Sequence, residues 1–177
     1  FANGREVTAW DFRYSFERIL APHSRSPNAW VLEKLAGADA FEDGREQHVR
    51  GIEVEDAYTL TLKLSDPFSP FLSQLTMTAC YVVPREEVAK WGVDFSSHPM
   101  GTGPYILSEW RHGSEVVLKR NNSYFGPCAK VGGLVYRIIP EDLTAAVEFE
   151  TGNLDVLSVP ASEYGKYRNS PEWKYLL

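Results

Sequence analysis

One stretch near the middle of the chain, Ser97-His98-Pro99-Met100-Gly101-Thr102-Gly103-Pro104-Tyr105-Ile106-Leu107-Ser108-Glu109-Trp110, limits what the rest can become. Its two glycines and two prolines fix unusual backbone angles. The alternating run that starts at Tyr105 must then be a strand. Residues before this stretch read as helices with one hairpin, and residues after it as a different sheet with a crossover helix. Gly101-Thr102-Gly103 is not read as a phosphate loop. Such a loop follows a strand and opens a helix, whereas this one opens a strand carrying Pro104.

In the first part, Thr8-Ala9-Trp10-Asp11 has the form of a capping box with aspartate in place of the usual glutamate. Asp11 at a helix start complements the positive end of the helix, so capping outweighs catalysis as its role. Phe12, Phe16 and Ile19 recur at helical spacing up to Pro22. Short helices are expected around Trp30–Leu35 and Ala38–Phe41. Gly51–Asp56 and Thr59–Leu64 alternate at period two around an Asp56-Ala57-Tyr58 turn. They predict a hairpin with Leu60, Leu62 and Leu64 on its buried face. A short helix through Leu72 and Leu75 follows, then a strand at Tyr81–Val83. A helix with Pro84 as its first residue then runs to Lys90.

Beyond the central stretch, Tyr105–Trp110 and Glu115–Arg120 predict a second hairpin. Asn121 and Asn122 are read as satisfying turn backbone, with Tyr124 and Phe125 packing. Leu134–Ile139 predicts a strand, Pro140–Gly152 a helix and Leu154–Val159 another strand. Together they form a βαβ unit with parallel pairing. Ligands of such sheets gather outside the carboxyl ends of the strands. That rule points to Ser158, Val159 and Pro160, with Tyr136 or Arg137. Pro160–Glu163 reads as a further helix start.

The chain has 177 residues, 44% hydrophobic and 24% charged, near the globular average. A net charge of −6 argues against nucleic acid as a partner. No apolar run approaches the ~20 residues of a spanning helix. His23, His48, His98 and His112 are scattered without metal-ligand spacing, and no metal or cofactor is expected. Cys80 and Cys128 lack C-x-x-C spacing; two separate thiols and a disulfide both stay open. No Walker A, H-E-x-x-H or G-x-S-x-G motif occurs, so the chain is not read as an enzyme. It opens at Phe1 without a start methionine and is expected to be a piece of a longer protein.

The central stretch resembles the "P-x-G-T-G-P-Y…W" signature of family 5 of the extracellular solute-binding proteins of ABC importers. The matching positions are Gly101, Thr102, Gly103, Pro104, Tyr105 and Trp110. The family's opening motif appears as Phe1, Gly4, Val7, Thr8, Ala9, Asp11, Tyr14, Ser15 and Phe16, and its hairpin motif at Gly51–Leu64. "Y-x-x-I-P-D…A-x-x-x-G-x-x-D-V" is matched by Tyr136, Ile139, Pro140, Ala146, Gly152, Asp155 and Val156.

The resemblance implies a mixed α/β periplasmic-binding-protein fold of type II. Residues 1–95 would form the accessory subdomain of the first lobe, and 96–177 part of its main sheet. It implies capture of a peptide in a cleft between two lobes and delivery to ABC permease subunits. The setting would be periplasmic or extracellular, free or lipid-anchored, with a monomeric full-length protein whose other lobe lies outside these residues. The chain just after Asp155-Val156 would lie near the cleft, in agreement with the choice of Ser158–Pro160. Nickel or another solute as ligand, and a ligand-sensing domain of a regulator, are the alternative readings.

Overall fold

The computed structural model describes residues 1–173. Its contacts divide the chain into two compact units, Phe1–Ser108 with Leu118–Leu134, and Glu109–Val117 with the chain from Val135 on.

The first unit begins with α1 (Ala9–Leu20). Phe16 and Leu20 on its inner face are buried with Val31, Leu32, Leu35, Val49 and Ile52; Phe12 packs edge-on against Phe16 with ring centroids 6.1 Å apart at the rim of that face, and Trp10 on the other face stays exposed. Trp30 lies in a single 3-10 turn, Ala29–Val31, and α2 spans Ala38–Glu42. The expected hairpin forms from β1 (Ile52–Val54) and β2 (Leu60–Leu62), antiparallel with Ile52 opposite Leu62. Asp56 closes its turn by accepting the Tyr58 N–H at 2.7 Å. Leu60, Leu62 and Leu64 all pack against the core, and Lys63 on the wet face pairs with Glu53 at 2.7 Å. α3 (Phe71–Gln74) and α4 (Arg85–Trp91) complete this part.

Tyr81–Val83 is not the strand that its residue types predict. The Val83 N–H donates to Ser15 Oγ on α1 at 3.0 Å, so a side chain holds this backbone in place of a neighbouring strand. Pro84 precedes α4 as its N-cap with ψ 123° and is not its first helical residue.

The second sheet has three strands in the order β3 (Tyr105–Arg111), β4 (Glu115–Arg120) and β5 (Gly133–Arg137). The Arg120 N–H donates to Gly132 O at 2.9 Å, and the Ile138 N–H to Ser114 O at 2.7 Å. Those two bonds make β5 antiparallel to β4. In the second unit, α5 (Asp142–Glu150) follows, and Gly152 ends it at φ +79°. The βαβ unit does not close, because Leu154–Val159 joins no ladder among the described residues. The segment's apolar residues do not keep a strict period of two, Val156 and Leu157 being adjacent, and it stays irregular beyond α5. Lastly α6 (Tyr164–Asn169) packs Tyr167 against Phe149 and Trp173. Burial, then the bond to Glu150 Oε1 at 2.8 Å, pushes the Tyr167 hydroxyl up to about 12.

Candidate functional site

The central signature builds one wall of a groove in the first unit. Gly101, Thr102 and Gly103 line it together with Phe1, Phe12, Tyr81, Tyr124 and Phe125. Its volume is about 840 Å³, within the range of ligand pockets. Gly101 and Gly4 leave open space where a Cβ would stand, so bare backbone faces the groove at both places.

Asn121 ties the signature down. Buried at 6% exposure, it donates from Nδ2 to Gly103 O at 3.0 Å and accepts the Ser123 N–H on Oδ1 at 3.0 Å. Its own N–H reaches Pro104 O at 2.8 Å. This matches the turn role expected of the asparagines, and burial makes Asn121 a poor glycosylation acceptor despite the Asn-Asn-Ser triplet. Phe125, expected to pack, is 85% exposed, with only Tyr124 tilted against it at 4.7 Å. Asn121→Ala is expected to lower the stability of this unit by about 1–2 kcal/mol, because the half-buried Gly103 carbonyl and the Ser123 N–H lose their partner from a buried side chain. Urea unfolding of the variant against the parent measures it.

Arg5, also lining the groove, forms a fork with Asp11, Nη2 to Oδ1 at 2.6 Å and Nη1 to Oδ2 at 3.1 Å. Its Nε meets Glu86 at 2.5 Å. The Thr8 N–H donates to Asp11 Oδ2 at 2.8 Å and the Thr8 hydroxyl at 3.2 Å, closing the capping box. Burial alone would raise the Asp11 carboxyl. The guanidinium and the Thr8 donors outweigh it and hold the group below the usual carboxylate range. Arg5 was not singled out by the sequence, because a lone arginine before a cap has no pattern of its own. Cys80, also in the groove wall, is buried and its thiol is raised by that burial; Cys128 is exposed, and both are free.

The four cleft-side candidates lie elsewhere. Tyr136, on β5, is 57% exposed. Ser158 is exposed, Val159 and Pro160 are half-buried, and Pro160 O accepts the Glu163 N–H at 2.9 Å in the turn before α6. No hydrogen bond among the described residues joins Tyr136 to Ser158–Pro160. Of the signature positions, Tyr105 donates its hydroxyl to Val131 O at 3.2 Å. Trp110, 39% exposed, tilts against His112, and Asp155 is exposed. Among the described residues no three His, Cys, Asp or Glu side chains cluster as metal ligands. No helix there is long and apolar enough to cross a membrane.

The architecture is that of solute-binding proteins. It superimposes on OppA of Burkholderia pseudomallei with a TM-score of 0.84 at 28% identity, over 94% of this chain and 34% of that one. The family model described as "Bacterial extracellular solute-binding proteins, family 5 Middle" matches residues 1–175, and the chain belongs to this family. It is 26% identical over 169 residues to the oligopeptide-binding protein OppA of Bacillus subtilis, 92% of this chain and 31% of that protein. It is 24% identical over 180 residues to the nickel-binding periplasmic protein of Escherichia coli, 98% of this chain and 32% of that protein. The chain thus spans about a third of the length of these relatives. The family and its structural neighbours are solute-binding proteins, not enzymes.

Proposed function

We propose that this chain is part of the substrate-binding component of an ABC-type importer for di- and oligopeptides. In this reading residues 1–95 form the accessory subdomain of the first lobe and 96–177 part of its main sheet. Peptide is captured between this lobe and a second one, released to membrane permease subunits, and handled by a monomer in the periplasm or at the outer cell surface. The observation that carries the reading is the family match over residues 1–175, alongside a relative named for oligopeptide binding. Tyr136, Ser158, Val159 and Pro160 are the residues assigned to the cleft side.

A half-cleft leaves the backbone of an extended peptide open to water, so little affinity should come from one wall. Native mass spectrometry of this chain, and of a two-lobed protein containing it, with a mixed di- to hexapeptide pool tests the proposal. Retention by the two-lobed protein alone is expected. Submicromolar retention by the 177-residue chain would overturn the half-cleft argument. Retention by neither, with a nickel chelate held instead, would transfer the site to the metal-binding branch.

A further inference from the structure

The last turn of α5 engages both of its neighbours in the second unit. Glu148 Oε2 accepts from Arg137 Nη1 at 2.8 Å, which ties the helix to the end of β5. Phe149 packs against Tyr167 and Trp173, with ring centroids 6.3 and 5.0 Å apart. Glu150 Oε1 accepts from the Tyr167 hydroxyl at 2.8 Å and from Lys166 Nζ at 2.5 Å, both on α6. Two positions apart on a helix are turned by about 200° from one another. Glu148 and Glu150 can therefore serve partners on opposite sides.

The residues assigned to the cleft side are attached to the same two partners. Tyr136 is the neighbour of Arg137 on β5. Ser158–Pro160 lies between α5 and α6, and both ends of that connection return to α5. At its start the Asn153 N–H donates to Glu148 O at 2.8 Å. At its end Pro160 O accepts the N–H of Glu163, the N-cap of α6, at 2.9 Å. The attachment to α6 is the firmer of the two. Arg137 and Glu148 are a partly exposed ion pair, of a kind that adds little to stability. Tyr167 is buried, and a buried hydrogen bond to a charged acceptor belongs to the stronger class.

We propose that, on the peptide-binding reading of this chain, Glu148 and Glu150 are positioning residues. They touch no ligand; they brace β5 and α6 against one helix and so fix where Tyr136 stands relative to Ser158–Pro160. Groups that bind a ligand have to be held to within about 0.5 Å by the residues around them. Bracing of this kind acts on affinity by organising the binding side before the ligand arrives. Its loss is therefore read in peptide binding and in the second unit, with the first unit unchanged.

Hydrogen exchange of the 177-residue chain and peptide retention by a two-lobed protein containing it test the proposal together. Tyr167→Phe keeps the ring against Phe149 and removes only the donor to Glu150. Exchange at the Glu163 amide, which holds Pro160 O, should quicken about 3–10-fold in that variant. Glu148→Arg sets two guanidinium groups together and should quicken exchange at the Ile138 amide, which is bonded to Ser114 O beside Arg137. Adding Arg137→Glu rebuilds the pair in reverse and should restore the parent rate, which a simple loss of packing would not allow. The amides of α1 in the first unit should keep their rates throughout. In the two-lobed protein, each single variant should hold a mixed di- to hexapeptide pool about 3–10-fold more weakly than the parent, and the reversed pair should hold it like the parent. Exchange that stays at the parent rate, a reversed pair that fails to restore it, or peptide retention unchanged while exchange quickens would each overturn the assignment. A two-lobed parent that retains no peptide, while exchange responds as expected, would overturn the peptide reading and leave the bracing of the two segments standing.

Discussion

Gly51→Ala is expected to destabilise the first unit by about 3–4 kcal/mol, the upper end for overpacking because the obstruction is backbone. The Cβ would fall on Lys63 O and within 2.6 Å of Ala36 N and 3.0 Å of Ala36 O. None of these atoms is free to retreat. Gly51 N–H donates to Ala36 O at 2.7 Å, Ala36 N–H to Lys63 O at 2.9 Å and Lys63 N–H to Gly51 O at 2.8 Å. Three segments distant in sequence thus meet through their main chains at one point, and only a hydrogen fits between them. Relieving the clash means breaking at least one of the three bonds and shifting Ile52, which is buried beside it. Urea denaturation followed by tryptophan fluorescence reads the loss. A change below about 1 kcal/mol would show that the three segments can separate without cost, contrary to the packing described.

Asp11→Ala is expected to cost about 2–3 kcal/mol at neutral pH, combining a lost cap with a partly buried charge pair. The loss stays below that of a fully buried pair because the Arg5 side chain is 36% exposed and retains Glu86. This pair also gives the stability a pH dependence of definite sign. The folded-state pKa of Asp11 lies below its unfolded value, so the folded protein binds its proton less readily than the unfolded chain does. The contribution is therefore fully present above the unfolded carboxylate range, near pH ~4–5. It fades as pH falls through that range toward the folded-state pKa. Parent and variant should differ by a constant amount from pH 5 upward and converge below about pH 4. A gap that stays constant down to pH 3 would mean that the charge of Asp11 contributes nothing, leaving only its shape.

Much of the local structure was legible because it depends on neighbours in sequence. The spacing of Phe16 and Ile19 after Thr8 and Asp11 is a helix with its cap. Leu60, Leu62 and Leu64 alternate and are half-buried in the hairpin, and Gly152 stands just past a helix at positive φ. The signature's two glycines, expected to fix unusual backbone angles, do not: neither Gly101 nor Gly103 takes a positive φ, and Gly101 instead leaves open space where a side chain would stand.

What failed did so where the outcome belongs to a partner. Tyr81–Val83 has strand residues, yet its backbone is claimed by Ser15, 68 positions earlier. Leu154–Val159 has strand residue types but joins no ladder among the described residues, so the parallel unit expected from β5, α5 and this segment does not form there. The groove was not visible at all. Phe1, Phe12, Tyr81 and Phe125 are spread along the chain and share no period, and only the folding of their segments onto the signature brings them together.

By itself, then, the amino-acid order determined the helices, both hairpins, the capping box and the family signature, because each rests on contacts within a few residues. Tertiary structure alone decided that Gly51 is a meeting point of three main chains, that Arg5 locks Asp11, and that Phe1, Phe12, Tyr81 and Phe125 line one groove. Hydrogen bonds and ion pairs between distant segments depend on where each partner arrives in space, and no periodicity along a chain records that.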